Sequence, residues 1–372
     1  MMKKLLWTVL GLILLGAIGF GGWVLTLPPA STAKAPPIAK EENDAILAAL
    51  KPRRARPTVA IIGLNDATEV TDYLMPYGIL KRADVADVAA LATRQGPIRL
   101  YPSLTIEAQE TTADFDKRMP DGADYVIVPA MSRDDDPEVM AWLKDQRKKG
   151  AVIIGVCAGA TVVANTGLLD GKRGTTHWWF LKGMRDKHPS IDYVPDRRIV
   201  VNDGVVTTTG ISASMPLSLT LVEAIAGRTK AEAIARDLGL AHWDARHVSD
   251  AFKFNRPFAV TAITNKAAVW GHEQLGVPLD QNVDEVTLAL VVDAWSRTFR
   301  SRAIAFAPGA VTSRNGLKIA PDQVAADWPE AKRLPQIGTA PAKNLDETLD
   351  AIAVRYGDAT RDFVAVQLEY PR

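Results

Sequence analysis

Residues 151–171 read AVIIGVCAGATVVANTGLLDG and decide the fold. An apolar strand runs into the turn Gly155-Val156-Cys157-Ala158-Gly159, and a helical segment follows. This G-x-C-x-G pattern is the thiol version of the nucleophile elbow, a sharp strand-to-helix turn that lifts the nucleophile above the strand ends. The flanking glycines let strand and helix approach closely, and the free N–H groups of the helix start favour a thiolate and can hold an oxyanion. The stretch therefore predicts an α/β fold with Cys157 as its reactive group.

Cys157 is the single cysteine among 372 residues, so the chain has no internal disulfide and no multi-cysteine metal site. The competing interpretation is a small core residue, which is the usual state of a free cysteine. The position at a glycine-flanked turn favours a functional thiol. Because the histidines lack the spacing of metal ligands, we expect no metal, and we expect no cofactor.

Short β-branched runs alternate with helical segments from Thr58 onward, which indicates a parallel sheet covered by helices on both faces. The clearest helix is 137–149, where Asp136 can cap the start, Pro137 suits the first position and Gly150 ends it. The predicted strands are 58–63, 98–103, 124–130, 151–156, 198–201 and 205–209.

The N-terminal run over residues 5–27 carries no charge and is long enough to span a bilayer as a helix. Lys3 and Lys4 precede it, which favours a cytoplasmic N-terminus and an extracytoplasmic, periplasmic globular domain. The alternative is a cleaved signal peptide, whose apolar core is normally shorter, about 7–15 residues. We therefore predict a single-pass transmembrane anchor in residues 1–27 and a linker over 28–56.

The main domain is predicted over residues 57–228, and residues 229–372 form a mixed, mostly helical extension of unknown role. No clean internal repeat is evident in the sequence. The formal net charge of +1 and the absence of a basic DNA-binding segment predict no nucleic-acid partner.

Two separated motifs carry a family resemblance. CAGATVVANTGLLDGKRGTTHWW, residues 157–179, resembles the ThiJ/PfpI-like family of the class I glutamine amidotransferase-like superfamily, in particular isonitrile hydratases and the sensor domains of AraC-type regulators. DYLMPYGIL, residues 72–80, is similar to the family's first-helix motif, in which an acid four positions before a proline hydrogen-bonds the cysteine. The resemblance implies a flavodoxin-like sandwich, usually a homodimer, with Asp72 beside Cys157.

The candidate catalytic residues are Cys157, Asp72 and His177, with Glu69 as the alternative acid. His177 follows the elbow helix and serves either catalysis or structure. Loops beyond the carboxyl ends of parallel strands border the ligand pocket of such sheets. The predicted substrate-binding residues are Gly63, Asn65, Ala130, Met131, Ala158, Gly159 and Gly210.

The sequence departs from the family at two positions. Ala158 stands where related proteins have His or Thr, and Pro216 replaces an expected acid. Two functions stay open: a cysteine-dependent hydrolase or hydratase acting on a small carbon–nitrogen or carbonyl substrate, and a non-catalytic small-molecule or redox sensor. The elbow and Asp72 favour the enzyme, whereas Ala158 and Pro216 favour the sensor.

Overall fold

The central sheet organises the first half of the chain. A computed structural model describes residues 7, 11, 16, 19–241 and 243–371. Seven strands lie in the order β11-β12-β8-β7-β1-β3-β6, all neighbours being parallel except the antiparallel edge pair β11–β12. The strands are β1 Thr58–Gly63, β2 Thr68–Glu69, β3 Asp87–Ala92, β4 Pro97–Tyr101, β5 Thr105–Glu107, β6 Glu110–Thr111, β7 Tyr125–Val128, β8 Val152–Gly155, β9 Arg173–Gly174, β10 Asp192–Tyr193, β11 Ile199–Val201, β12 Val205–Thr208, β13 Glu273–Pro278, β14 Ser301–Ala307, β15 Val311–Thr312, β16 Lys318–Ala320 and β17 Gln323–Val324.

Helices cover both faces of this sheet, so the predicted α/β class is confirmed. The helices are α1 Lys40–Ala49, α2 Val70–Ala83, α3 Thr112–Arg118, α4 Pro137–Lys148, α5 Gly159–Asn165, α6 Trp178–Lys187, α7 Ser214–Ala226, α8 Arg228–Leu238, α9 Arg256–Ala267, α10 Glu285–Ser296, α11 Pro341–Tyr356 and α12 Asp358–Gln367. Helix α4 begins as predicted, because the Asp136 carboxylate accepts hydrogen bonds from the N–H groups of Glu138 and Val139.

The elbow is fixed by a close approach between the start of α5 and the end of β7. A Cβ atom on Gly159 would lie 1.9 Å from the carbonyl oxygen of Val128, so only glycine fits there. On the strand side, the Val156 N–H donates to the same Val128 oxygen at 2.9 Å. The turn is therefore clamped to the neighbouring strand, and the position of Cys157 follows from it.

Strands β4 and β5 do not belong to the central sheet. They form an antiparallel hairpin that continues into β16 and β15, two strands of the C-terminal region, within a five-stranded sheet of order β15-β16-β5-β4-β2. The predicted strand 98–103 is therefore real in type but lies in this second sheet. Strand β3 takes the place beside β1.

The C-terminal region packs directly on the first half of the chain. Strands β13, β14 and β17 form a parallel three-stranded sheet, and helix α10 lies against α2. Buried residues from both halves, such as Leu74 and Leu290, belong to one hydrophobic cluster. The extension is mixed α and β as predicted, and it shares its core with the α/β sandwich rather than extending away from it.

The apolar run over residues 5–27 lies about half outside the described residues, which include 7, 11, 16 and 19–27 of it. Across the part of the chain that the structure does describe, no helix is both long and apolar enough to cross a bilayer. The prediction of a single-pass membrane protein with a periplasmic domain is therefore wrong. In the predicted linker, α1 buries Ile46 in the main core, and Leu50 directly after the helix joins the same cluster.

We predict that Gly159→Ala destabilises the protein by about 1–3 kcal/mol or more, because the added methyl group overlaps the Val128 carbonyl. Gly183→Ala is the matched control: Gly183 lies in helix α6 with open space around its Cβ position. That change should be neutral or slightly stabilising. Urea unfolding measures both, and equal effects of the two substitutions would show that the elbow is not packed as described.

A candidate active site at Cys157

Cys157 sits in a left-handed backbone conformation, with φ at +55°, which is strained for a residue with a side chain. Its N–H donates to the Thr208 hydroxyl at 3.1 Å, and its carbonyl accepts from the Thr176 hydroxyl at 2.9 Å. The Ala158 N–H interacts with the thiol and lowers its pKa. The fold thus holds the sulfur at one fixed point above the ends of β8 and β12.

The thiol itself is nearly enclosed, with Cys157 only 3% exposed. Burial raises the pKa of the thiol well above its ordinary value, and the carboxylates of Asp72, Glu69 and Glu369 raise it further. This differs from the expectation that the elbow favours a thiolate. The desolvation of the sulfur and the three acids outweigh the single backbone N–H, so the resting thiol is protonated.

Two carboxyl groups from the start of α2 are near enough to the sulfur to raise its pKa. Asp72 is fully buried; its Oδ2 accepts from the Ala130 N–H at 3.1 Å, while its Oδ1 has no hydrogen-bond partner among the described residues. Glu69 caps the helix, since its Oε2 accepts from the Asp72 N–H at 2.7 Å. Burial raises the pKa of Asp72 well above its usual range and that of Glu69 to about 7. The pair can therefore hold and pass protons near neutral pH.

A cation from the C-terminal region completes this cluster. The Arg297 Nη2 lies 3.1 Å from Glu69 Oε1, and its Nε lies 2.7 Å from Asp293 Oδ2. Burial opposes a charge on Arg297, but Asp293 and Glu69 raise its pKa, so the guanidinium stays charged. Because Arg297 neutralises one buried carboxylate, the proton of the cluster resides on the less compensated Asp72. Sequence reasoning did not identify Arg297 or Asp293.

A cavity of about 620 Å³ opens beside Cys157. Glu69 and Arg297 lie in its wall with the cysteine, and the remainder is predominantly apolar. Helices α6 and α9 and the turn after α10 supply most of its aromatic and aliphatic side chains. The apolar wall includes Trp178, Trp179, Phe254, Phe258, Phe299 and Ile263. Such a cavity suits a ligand with a bulky apolar body and one polar end.

His177 reaches the cavity wall, but both of its ring nitrogens are already engaged. Nε2 donates to the Gln367 carbonyl at 2.8 Å, and Nδ1 accepts from the Trp179 N–H at 3.1 Å. Burial lowers the pKa of His177 to about 4, so the ring is neutral. This arrangement orients α6 and leaves no free nitrogen facing the thiol.

Glu369 brings the end of the chain to the site. Its carboxylate accepts from the N–H groups of Trp178 at 2.7 Å and Gly210 at 2.9 Å, and burial raises its pKa to about 7. A Cβ atom on Gly210 would clash with both Glu369 and His177. The acid that the family resemblance leads one to expect at Pro216 is thus absent there, and a carboxyl from the C-terminal region stands at the same loop.

Apart from Gly210, whose N–H binds Glu369, the predicted binding residues divide into two groups. Ala130 and Met131 line the cavity, and Ala158 and Gly159 form the elbow beneath it. By contrast, a Cβ atom on Gly63 would meet the Tyr73 ring, and the Asn65 side chain donates to the carbonyl groups of residues 94, 96 and 97. Neither Gly63 nor Asn65 belongs to the cavity wall; Asn65 borders a separate polar depression beside Arg94.

A parallel sheet flanked by helices, a nucleophile-elbow cysteine and an acid on the first helix define a cysteine-centred α/β sandwich. The sequence profile of the DJ-1/PfpI family matches residues 58–224. The chain is 28% identical over 191 residues to the Parkinson disease protein 7 homolog of Danio rerio, covering 48% of this chain and 97% of that one. It is also 28% identical over 175 residues to an isonitrile hydratase of Pseudomonas putida, covering 46% and 73%.

A third relative matches a shorter stretch. The HTH-type transcriptional regulator CdhR of Pseudomonas aeruginosa is 30% identical over 86 residues, which cover 23% of this chain and 25% of that protein. Residues 58–224 are therefore a DJ-1/PfpI family domain, and the resemblance stated from the two sequence motifs is confirmed.

We predict that Asp72→Asn increases the alkylation rate of Cys157 by iodoacetamide at pH 8–9. The substitution removes a carboxyl group whose ionised form raises the pKa of the thiol, and each unit of pKa changes the thiolate fraction about tenfold below the pKa. Asp66→Asn, at an exposed ion pair with Arg94 and Arg133, is the control and should leave the pH profile unchanged. Slower alkylation in Asp72→Asn would mean that Asp72 stabilises the thiolate by a hydrogen bond instead.

Proposed function

We propose that the protein adds water to a neutral carbon electrophile bearing a bulky apolar group, by way of a covalent adduct at Cys157. An isonitrile is the leading substrate class, and a reactive carbonyl compound is the next. The observation that carries this proposal is the strained Cys157 thiol at the base of an apolar cavity of about 620 Å³, with Asp72 and Glu69 beside it.

The protonation of the resting site suits a neutral substrate. A buried, protonated thiol does not attract an anionic ligand, and the predominantly apolar walls suit a neutral one. The carboxyl pair can accept the thiol proton as the S–C bond forms and return it to the substrate. Similarity to an isonitrile hydratase gives independent support for this reaction class.

An isonitrile would react at its terminal carbon. Cys157 Sγ bonds to that carbon, and the thiol proton passes through Asp72 to the same carbon, which gives a thioimidate. Water then adds to the carbon, the C–S bond breaks, and a proton returns to sulfur. The product is an N-substituted formamide, so one water is consumed and the enzyme is regenerated. Glu69, with a pKa of about 7, would accept a proton from the attacking water.

His177 takes a positioning role in this scheme. Its hydrogen bonds to Gln367 and Trp179 hold the aromatic wall formed by Trp178 and Phe258, and its ring stacks on Trp178 with centroids 5.7 Å apart. Ala130 and Met131 would border the substrate, and the N–H of Ala158 would stabilise negative charge on sulfur.

The second candidate is a non-catalytic ligand or redox sensor. The specific observation in its favour is the burial of Cys157, which raises the pKa of the thiol, next to Ala158, whose methyl side chain offers no hydrogen-bond donor. In that case the cavity binds an apolar ligand without turning it over, or an oxidant converts the thiol to a sulfenic acid. A homodimer, as implied by the family resemblance, is a proposal for either function.

We predict turnover of an aromatic or cyclohexyl isonitrile to its formamide, measured by chromatography, and loss of that turnover in Cys157→Ser. Asp72→Asn should reduce the rate by about 10²–10⁴-fold, the usual contribution of a general acid–base group. Phe258→Ala should weaken the apolar substrate and leave the alkylation profile of Cys157 unchanged.

Binding separates the two candidates. If the apolar isonitriles and carbonyl compounds raise the melting temperature without any product, the sensor is favoured over the enzyme. If they neither bind nor react, the assignment of this cavity as the functional site is wrong.

A further inference from the structure

The same structural unit occurs twice in the chain. Strands β1 and β3 are parallel and are joined by α2; strands β13 and β14 are parallel and are joined by α10. An antiparallel hairpin follows each unit, β4–β5 in the first and β15–β16 in the second. The interval from the start of the first strand to the start of the helix is identical in the two units, Thr58 to Val70 and Glu273 to Glu285.

The two hairpins meet edge to edge in a symmetric way. Strands β5 and β16 pair antiparallel, with Ile106 opposite Ile319 and Thr105 opposite Ala320. Ile106 and Ile319 each occupy the second position of their strand, so each faces its own counterpart. In the strand order β15-β16-β5-β4, the equivalent strands β16 and β5 lie at the centre, and the equivalent strands β15 and β4 lie outside them. A local two-fold axis therefore passes between these two isoleucines.

Reciprocal ion pairs join the two helices across this axis. Arg297, after α10, binds Glu69, the N-cap of α2; Arg82, near the end of α2, binds Asp284, the N-cap of α10. The interval from capping acid to arginine is the same in both units, Glu69 to Arg82 and Asp284 to Arg297. Contacts that repeat with the roles exchanged define an isologous interface, the kind found between identical subunits.

The correspondence between the two units ends shortly after their hairpins. Each hairpin is followed by a short strand that pairs parallel with the last strand of its unit, β6 with β3 and β17 with β14. Beyond these strands the first unit continues through α3, β7 and β8 to the elbow, whereas the second continues to α11 and α12. Since Cys157 is the only cysteine of the sequence, the thiol lies on the elbow that follows the first unit, and no equivalent thiol follows the second. Arg297 accordingly lines the cavity with Cys157, while the equivalent Arg82 bonds Asp237 of α8 at 2.9 Å.

From this geometry we infer that residues 273–320 are a truncated internal copy of residues 58–107, that the copy stands where a partner subunit would, and that its Arg297 is a positioning residue for the Cys157 site. Arg297 holds the Glu69 carboxylate at the cavity wall and provides the positive charge that a buried thiolate and two buried acids require. The inference rests on the proposed function only in taking Cys157 as the reacting group.

Electrostatics support this role. Arg297 lowers the pKa of both Glu69 and Asp72, which burial raises, and the thiolate form of Cys157 in turn raises the pKa of Arg297. The charges of Arg297 and the thiolate therefore favour each other. Because α2 and the β5 edge are already covered by the second unit, any homodimer of this protein must use other surfaces.

The test compares Arg297→Gln with Arg82→Gln, its symmetry-related control. Each substitution removes a buried arginine from one of the two reciprocal ion pairs, so both should lower the urea midpoint. Only Arg297→Gln should move the pH profile of Cys157 alkylation by iodoacetamide to higher pH, with a rate at pH 8 reduced about tenfold for each unit of pKa. Equal profiles in the two variants would overturn the inference.

Lysine variants keep the test decisive if a glutamine variant does not fold. Arg297→Lys retains the charge but loses the planar fork that reaches both Glu69 and Asp293, so it should shift the profile partway, whereas Arg82→Lys should leave it unchanged. An unshifted profile in Arg297→Lys would count against the positioning role. Alkylation needs no substrate, so its result holds even if the proposed hydration reaction is not observed. Likewise, equal alkylation profiles would overturn the role of Arg297 without deciding whether the hydration reaction occurs.

Discussion

The site depends on one buried cation. Glu69, Asp72 and Asp293 lie out of water within the same core as Cys157, and uncompensated carboxylates cannot be buried without a large loss of free energy. Arg297 bridges Glu69 and Asp293 and so allows the acids to remain beside the thiol. Arg297 directly follows the helix of a second β-α-β unit, which lies far along the sequence and packs on the first unit. The C-terminal region is thus a condition for the chemistry of the N-terminal domain.

Local signals were sufficient for much of the fold. Strand β1 and helix α4 occur where the residues predict them, because β-branched runs and the Asp136 cap act within a few residues. Strand β3 was missed because its sequence, DVAALA, is rich in alanine and owes its strand state to pairing with β1. The apolar run at residues 5–27 led to the wrong membrane assignment. The repeat escaped detection because the two units share spacing and pairing far more than residue identity.

The candidate residues that sequence reasoning named on the elbow and the first helix lie together in the structure. Cys157 and Asp72 are fixed by short motifs, and Ala130 and Met131 follow from the strand ends. The end of strand β1 and the loop after it were also expected at the cavity, but the packing of Tyr73 and the hydrogen bonds of the loop turn them away from it. The arginine and the glutamate that the C-terminal region contributes carry no local signal, since their place in the site depends on long-range packing.

The protonated state of the buried thiol limits the electrophiles that it can attack. A thiolate poised at neutral pH would attack many electrophiles, whereas a buried thiol next to a protonated Asp72 reacts only when a bound molecule can take up the proton as the S–C bond forms. The apolar walls admit neutral molecules, and the carboxyl pair supplies the path for the proton. Selectivity in such a site comes from coupling bond formation to proton transfer, and the cation from the second unit sets how readily that proton moves.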